Sequence, residues 1–362
     1  MTVRFNALVP QDDDATAVRA AIDRVIASGW FVLGPEVEAF ETEFARACGS
    51  KYAIGVGTGT DAITLILRAL DIGAGDEVIT SPLSAAYSAL AIMMAGARPV
   101  FADIDPGRLT LAPEAVAAAV NPRTRAILPV HLYGQAADMP ALARVAARHG
   151  LAIVEDACQA HLATSAGQPV GTIGVAGAFS FYPTKNLGAL GDGGAVVTSD
   201  PALADRIRRL RNGGQTSRYH HLEAGANSRL DEMQAAILRA RLPSLPRWTE
   251  RRRALARQYR ARLVDAALVV PREVEPGHVY HLFPVLTPAR AALQAHFTAA
   301  GVETLIHYPV PIPRQPALAA TEPAECPAAD RICGEVMSLP MYPSLSDAAA
   351  TRVADAAAAF LK

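Results

Sequence analysis

Lysine is nearly missing from this chain. Of 362 residues 34 are basic, yet lysine stands only at Lys51, Lys185 and Lys362, and arginine supplies the rest. Excess charge of one sign is missing too. Basic and acidic residues balance to a net charge of −1, so no overall field draws nucleic acid or an anionic membrane surface. Four cysteines (Cys48, Cys158, Cys326 and Cys333) form no CxxC pair and no His/Cys ligand spacing. They predict reduced thiols in a cytosolic protein and no metal site. The N-terminal MTVRFNALVPQDDD lacks the apolar run of a secretory signal, and the most apolar window, AAYSALAIMMAGA at 85–97, is too short for a bilayer. The expectation is a soluble, cytoplasmic protein.

What is present is ample core. Hydrophobic residues make up 51% and charged residues 19% of the chain, which suits one large and one smaller domain. Helical periodicity marks 15–28, 36–47, 60–70, 84–95, 138–148, 201–211 and 229–241. Short apolar runs at 51–57, 76–80, 99–103, 125–130 and 151–156 read as strands. AGAFSF and GGAVVTS read as a strand pair around the loop that holds Lys185. The alternation predicts an α/β fold, a mostly parallel sheet with helices on both faces. LPSLPRWTERRRALARQYRARL opens with two prolines and continues as an arginine-rich helix, read as a solvated face and as the bridge to an α+β C-terminal domain. The expected domains are 1–249 and 250–362.

Three stretches carry chemistry. In GVGTGTDAITLILRAL a strand runs into a helix through small residues, exposing backbone N–H groups and the positive end of the helix, a setting for an anion. The dinucleotide fingerprint GxGxxG fails at Thr60, and no GK[ST] of a P-loop is present. A ligand-free turn remains the bland alternative. In LAIVEDACQAH an apolar strand ends in Glu155 and Asp156, where open parallel sheets bind ligands. A carboxylate there can hold a cationic ring nitrogen, or simply cap the next helix. In FSFYPTKNLGALGDGG the retained Lys185 is either a chance survivor, as Lys51 and Lys362 can be, or a nucleophile. Only an amine can shed its proton and form an imine with an aldehyde; a guanidinium stays charged. Together, a phosphate cradle, a strand-end carboxylate and a lone amine match pyridoxal 5′-phosphate.

At this point the chain resembles the DegT/StrS family of sugar aminotransferases, within the aspartate aminotransferase fold. SGWFVLGPEVEAFETEFA, GTGTDAITLILRALDIGAGDEVIT, VEDACQAH, FSFYPTKNLGALGDGGAVVT, GANSRLDEMQAAIL, HYPVP and SLPMYPSL follow in the family's order. The resemblance implies that Lys185 forms the Schiff base and moves the proton, that Asp156 pairs with the pyridine nitrogen, and that Gln159 meets the ring hydroxyl. It implies that Gly59, Thr60 and Ser180 hold the phosphate, with Asn227 reaching in from the second subunit of a homodimer. Tyr182, Tyr219, Arg229, His307 and Tyr308 are implied as substrate residues, although Arg229 equally suits an ion pair with Asp231 or Glu232. The family's aromatic residue that stacks on the ring is replaced by Ala85, leaving Tyr87 or an aliphatic group to cover it. His131 reads as structural, His161 as structural or near the site, and His220 and His221 as part of a solvated loop or one reaching a neighbouring site. Asn227 and Arg229 are expected at the start of a helix.

The implied reaction moves an amino group from glutamate to a nucleotide-linked keto-sugar, with strings such as AILPVHLYGQAADM closest to enzymes that aminate C-3 of a dTDP-keto-deoxysugar. Alternatives are a cyclitol ketone or C-4 keto-sugar as acceptor, and a catalytically idle regulator. The family's 3-dehydratase branch carries histidine where Lys185 stands. No nucleic acid or membrane partner is expected.

Overall fold

The computed structural model describes residues 2–10, 12–264, 266–321 and 323–360; Lys362 lies outside the described residues. Its centre is a seven-stranded sheet in the order Tyr52–Val56, Gly194–Thr198, Ala176–Ser180, Ala152–Asp156, Thr124–Leu128, Glu77–Thr80, Arg98–Phe101. The last five run parallel as neighbours. Gly194–Thr198 is antiparallel to both of its neighbours, so Tyr52–Val56 again points the same way as the parallel five. The mostly parallel sheet is therefore observed, and the strand pair around Lys185 is Ala176–Ser180 with Gly194–Thr198.

The central strands Gly194–Thr198, Ala176–Ser180 and Ala152–Asp156 are buried on both faces over most of their length, which is why they read as apolar runs without alternation. On one face Val154, Ala178 and Val196 pack under Ile63, Ile66 and Leu67 of the helix Gly59–Ala69. On the other, Phe179, Phe181 and Val197 meet Phe40 and Phe44 of the helix Pro35–Cys48. Phe44 meets Phe179 and Phe181 edge-on, each at 5.2 Å between centroids. Gly49 closes that helix in the left-handed region at φ 70°, which a glycine adopts without steric cost.

The chain after 244 begins with the helix Leu245–Arg262. It packs Leu255, Ala256 and Tyr259 against Phe283, Phe297 and Val353, beside an antiparallel pair, Phe283–Leu286 with Val336–Leu339. The expectation of a purely solvated arginine face fails at Arg252. That side chain is buried and donates to the carbonyls of Tyr280, His281 and Met341.

Two helix starts differ from expectation. The helix placed at 84–95 begins at Tyr87 and ends at Met94. Ser81 and Pro82 form a local turn in which the Leu83 N–H donates to Ser81 Oγ at 3.2 Å, delaying the helix. The helix placed at 229–241 begins at Glu232. Residues before it are extended, bridged to Asn212 and Val32, so Asn227 and Arg229 precede the helix. Residues 215–221, expected as a loop, include a short exposed hairpin, Gln215–Ser217 with His220–His221.

Candidate active site

Chemistry-bearing residues gather at the carboxyl edge of the sheet. Glu155 and Asp156 are both buried at the end of one strand but point to different work. Glu155 accepts the N–H groups of Gly171, Ile173 and Gly174, each at 2.7 Å, and fixes that loop. His131 Nδ1 accepts from the Ala137 N–H, so its Nε2 carries the proton donated to Glu155 Oε2 at 3.0 Å. His131 is structural, as expected.

Asp156 is held differently. Its Oδ1 accepts the Cys158 N–H at 3.1 Å and its Oδ2 accepts the Ser88 hydroxyl at 2.7 Å. Ser88 is buried and was not legible in the sequence; its partner lies 68 residues away. The only signal was its place one residue after Tyr87 in a stretch already compared with the family's ring-stacking motif.

Beside this carboxylate the helix Gly59–Ala69 opens. Thr58 caps it, accepting the Asp61 N–H at 3.0 Å. The N–H groups of Gly59 and Thr60 receive no acceptor among the described residues, as at the first turn of a helix generally. A Cβ on Gly59 would lie 2.7 Å from Cys158 Sγ and 2.8 Å from Ser180 Cβ, so backbone is pressed here against the end of the strand Ala176–Ser180. Ser228 locks the cradle from behind, donating to Asp61 Oδ2 at 2.8 Å and accepting the Gly57 N–H at 2.9 Å.

Lys185 enters on a turn closed by its own N–H to the Tyr182 carbonyl at 2.8 Å. Burial pulls its amine below the ordinary lysine range, while the neighbouring Cys158 and Asp156 push it partly back. The same burial drives the Cys158 thiol well up. Three imidazoles surround the amine electrostatically. His161 is pushed down to about 3 and His307 to about 4, both first by desolvation and then by the Lys185 charge, and His281 falls well below the usual range. His161 is fully buried against Phe179 and Phe181, beside the Ser180 backbone. Gln159 accepts the Tyr133 N–H at 2.8 Å and donates to the Tyr308 hydroxyl at 3.0 Å, which brings two of the expected residues together. His307 meets Ser338 Oγ at 3.0 Å.

Other expected residues are exposed or paired elsewhere within the single chain. Tyr87, Tyr182 and Tyr219 are 64%, 52% and 78% exposed. Asn227 is exposed, beside Asn212. Arg229 donates to Asn212 Oδ1 at 3.1 Å and pairs with neither Asp231 nor Glu232. Glu232 is already occupied, accepting the N–H groups of Gly34, Glu36 and Val37, each at 2.8 Å.

A ligand that satisfied this site would need an anionic end for the cradle, a ring nitrogen for Asp156 and a carbonyl for the amine. Pyridoxal phosphate has all three, and the donor set fits it: free N–H groups, an oriented buried carboxylate and a desolvated amine. Site and fold together are those of the fold type I class of pyridoxal-phosphate enzymes.

The chain belongs to the DegT/DnrJ/EryC1/StrS aminotransferase family, whose pattern matches residues 12–358. It is 50% identical over 343 residues to a dTDP-3-amino-3,4,6-trideoxy-alpha-D-glucose transaminase of Streptomyces venezuelae, covering 93% of this chain and 90% of that one. It is also 50% identical over 337 residues to the erythromycin biosynthesis sensory transduction protein EryC1 of Saccharopolyspora erythraea, covering 92% of each. The crystal structure of S. venezuelae DesV in complex with a ketimine intermediate superposes with a TM-score of 0.93 at 48% identity, covering 97% of this chain and 98% of that one.

Proposed function

We propose that the protein transfers an amino group from L-glutamate to C-3 of a dTDP-linked keto-deoxysugar, in amino-sugar biosynthesis. The observation that carries the reading is the desolvated Lys185 amine beside Asp156 and the open helix start at Gly59, together with 50% identity to a transaminase of that substrate class. When bound, pyridoxal phosphate supplies an aldehyde for amine exchange and a ring that spreads the electron pair left by C–H ionisation. In the proposed roles, Gly59, Thr60 and Ser180 hold the phosphate, Asp156 meets the ring nitrogen and Gln159 meets the ring hydroxyl. Ser88 and the Cys158 N–H keep the Asp156 carboxylate oriented. Lys185 takes the proton from the substrate carbon and returns it on the other side of the exchange, and burial favours the neutral amine this requires. Tyr87 covers the ring where Ala85 leaves it bare.

We assign Tyr182, His307 and Tyr308 to the sugar pocket. We assign Asn227, and with it Arg229 and Tyr219, to the active site of a second subunit in a homodimer. Exposed apolar side chains support a partner surface: Trp30, Phe31, Val32 and Tyr182 all remain open to solvent in the single chain. We also propose a division near residue 250 into a larger and a smaller domain, and a cytoplasmic setting. Among the described residues no helix is long and apolar enough to cross a membrane.

The test isolates the second half of the reaction, in which the acceptor takes the amino group. The protein is converted to its pyridoxamine form and offered a panel of nucleotide-linked keto-sugars and free cyclitol ketones. Restoration of the aldehyde absorbance by dTDP-3-keto-sugars is the expected result. A response to cyclitols alone overturns the nucleotide-sugar reading.

A further inference from the structure

The turn after the strand Thr124–Leu128 carries a residue that the proposed chemistry does not use. Tyr133 is buried and sits at φ 58°, ψ 7°, in the left-handed region that residues other than glycine seldom adopt. Its neighbours hold it there. Its carbonyl accepts the Leu282 N–H at 3.3 Å, and the Gly134 carbonyl accepts the Val279 N–H at 3.0 Å. Gly134, at φ 96°, lies so close to that segment that a Cβ would stand 2.9 Å from the backbone nitrogens of Tyr280 and His281. The backbone so held aims the Tyr133 N–H at Gln159 Oε1, 2.8 Å away. Gln159 Nε2 donates to the Tyr308 hydroxyl at 3.0 Å. The Tyr133 hydroxyl donates to the carbonyl of His307, the residue before Tyr308. Three hydrogen bonds therefore close a ring through Tyr133, Gln159, Tyr308 and His307.

The ring decides two directions. A backbone N–H only donates, so the oxygen of the Gln159 amide faces Tyr133 and its N–H groups face away from it. The Tyr308 hydroxyl accepts from Gln159 and has no acceptor for its own proton among the described residues. The tether at His307 keeps that hydroxyl against Gln159. We propose that Tyr133 is a positioning residue for the site: its N–H turns the Gln159 amide, and its hydroxyl, through His307, holds Tyr308 in place. The proposal rests on the roles assigned above to Gln159 and Tyr308 and extends them to a residue that acts only through those two. Burial pushes the Tyr308 phenol up to about 12, with Asp156 and Cys158 adding to the rise, and drives the Tyr133 phenol well above its ordinary value. Both keep their protons at neutral pH.

The experiment compares Tyr133→Phe, Tyr308→Phe and the double variant with the unmodified protein. Tyr133→Phe keeps the aromatic ring in its cluster with Leu132, Leu282 and Ile312 and removes only the hydroxyl. In the cofactor-free protein, Tyr308→Phe alone should lower the urea midpoint. It should lower the midpoint little further once Tyr133→Phe is present, because both changes break the same contact. In the pyridoxal-phosphate-loaded protein, Tyr133→Phe should move the pH at which the cofactor's absorbance changes by about half a unit or more, as for a hydrogen bond partly lost. The double variant should move it no further than Tyr308→Phe alone. A Tyr133→Phe protein that unfolds more easily but titrates like the unmodified one overturns the proposal and leaves Tyr133 holding the fold. So do shifts from the two single variants that simply add. An unmodified protein that takes up no pyridoxal phosphate overturns the cofactor reading on which the role of Gln159 rests, and the proposal with it.

Discussion

Ser88 donates a hydrogen bond from its hydroxyl to Asp156 Oδ2 at 2.7 Å, between a helix start and a strand end. The bond orients the carboxylate that we assign to the cofactor's ring nitrogen. A hydrogen bond to a charged group contributes about 1.5–3 kcal/mol. Ser88→Ala should therefore lower kcat by roughly tenfold or more, at about 1.4 kcal/mol per decade, with the fold intact by circular dichroism. Ser88→Thr should recover most of it. Equal activity in the alanine variant would remove Ser88 from the mechanism.

Lys185 carries the covalent chemistry. Lys185→Ala and Lys185→Arg should both abolish amino transfer, and borohydride should fix cofactor on the unmodified protein alone. A pH consequence follows from burial, which lowers the amine's pKa. The unfolded chain then binds more protons than the folded one between the lowered value and the ordinary lysine value. In the cofactor-free protein the lysine's cost to stability is full below that window and fades as pH rises through it. Lys185→Met should remove this pH dependence in urea unfolding.

His161 makes a sharper case in acid. Its pKa falls to about 3 through burial, against an ordinary value near 6.5. Below the ordinary value the unfolded chain takes up a proton that the folded chain refuses, so stability is lost as pH drops toward the folded value. Between pH 7 and pH 5 this site alone should cost about 2 kcal/mol. His161→Phe keeps a ring against Phe179 and Phe181 and should flatten the urea midpoint over that range. An unchanged acid sensitivity would contradict a buried imidazole held neutral.

How much of this was legible beforehand depends on the range of the interaction. Buried strands such as Ala152–Asp156 announce themselves as apolar runs, and Gly59 and Lys185 stand in local motifs that carry their own chemistry. Ser88 did not, because its partner is fixed only when the sheet edge assembles. The helix start misplaced at 229 has a similar cause. Glu232 accepts three N–H groups from residues 34–37, and the segment before it is pulled into bridges instead of turns. The burial of Arg252 escaped periodicity because its acceptors are carbonyls from two distant segments. Arginine at that position looks solvated until those carbonyls are known.

Gly59 is expected to tolerate no side chain. A Cβ there would press on Cys158 Sγ and Ser180 Cβ and stand 3.3 Å from Ser180 Cα, which is backbone. Overpacking of this kind costs typically 1–3 kcal/mol, here taken from the geometry of the anion cradle. Gly59→Ala should weaken pyridoxal-phosphate binding by about tenfold or more, measured by equilibrium dialysis. Adding Cys158→Ala should restore only part of the affinity, since Ser180 still obstructs.

Asn186, next to Lys185 and buried, ties the lysine loop to the segment 279–281. Its Nδ2 donates to the Val279 carbonyl at 3.0 Å, and its Oδ1 meets His281 Nδ1 at 3.2 Å. The side chain thereby sets where the turn bearing Lys185 sits against the chain beyond residue 250. Asn186→Ala leaves a buried carbonyl and an imidazole nitrogen without partners, a loss of roughly 1–3 kcal/mol in stability. A purely structural role would stop at that figure. A positioning role predicts more: kcat falls with KM for glutamate nearly unchanged, and the pH at which the cofactor's absorbance changes moves, because the Lys185 amine sits in altered surroundings. Asn186→Asp keeps the acceptor toward His281 but loses the donor to Val279, so its absorbance titration should fall between the two. If stability drops while kcat and the titration stay fixed, Asn186 holds the fold and nothing more.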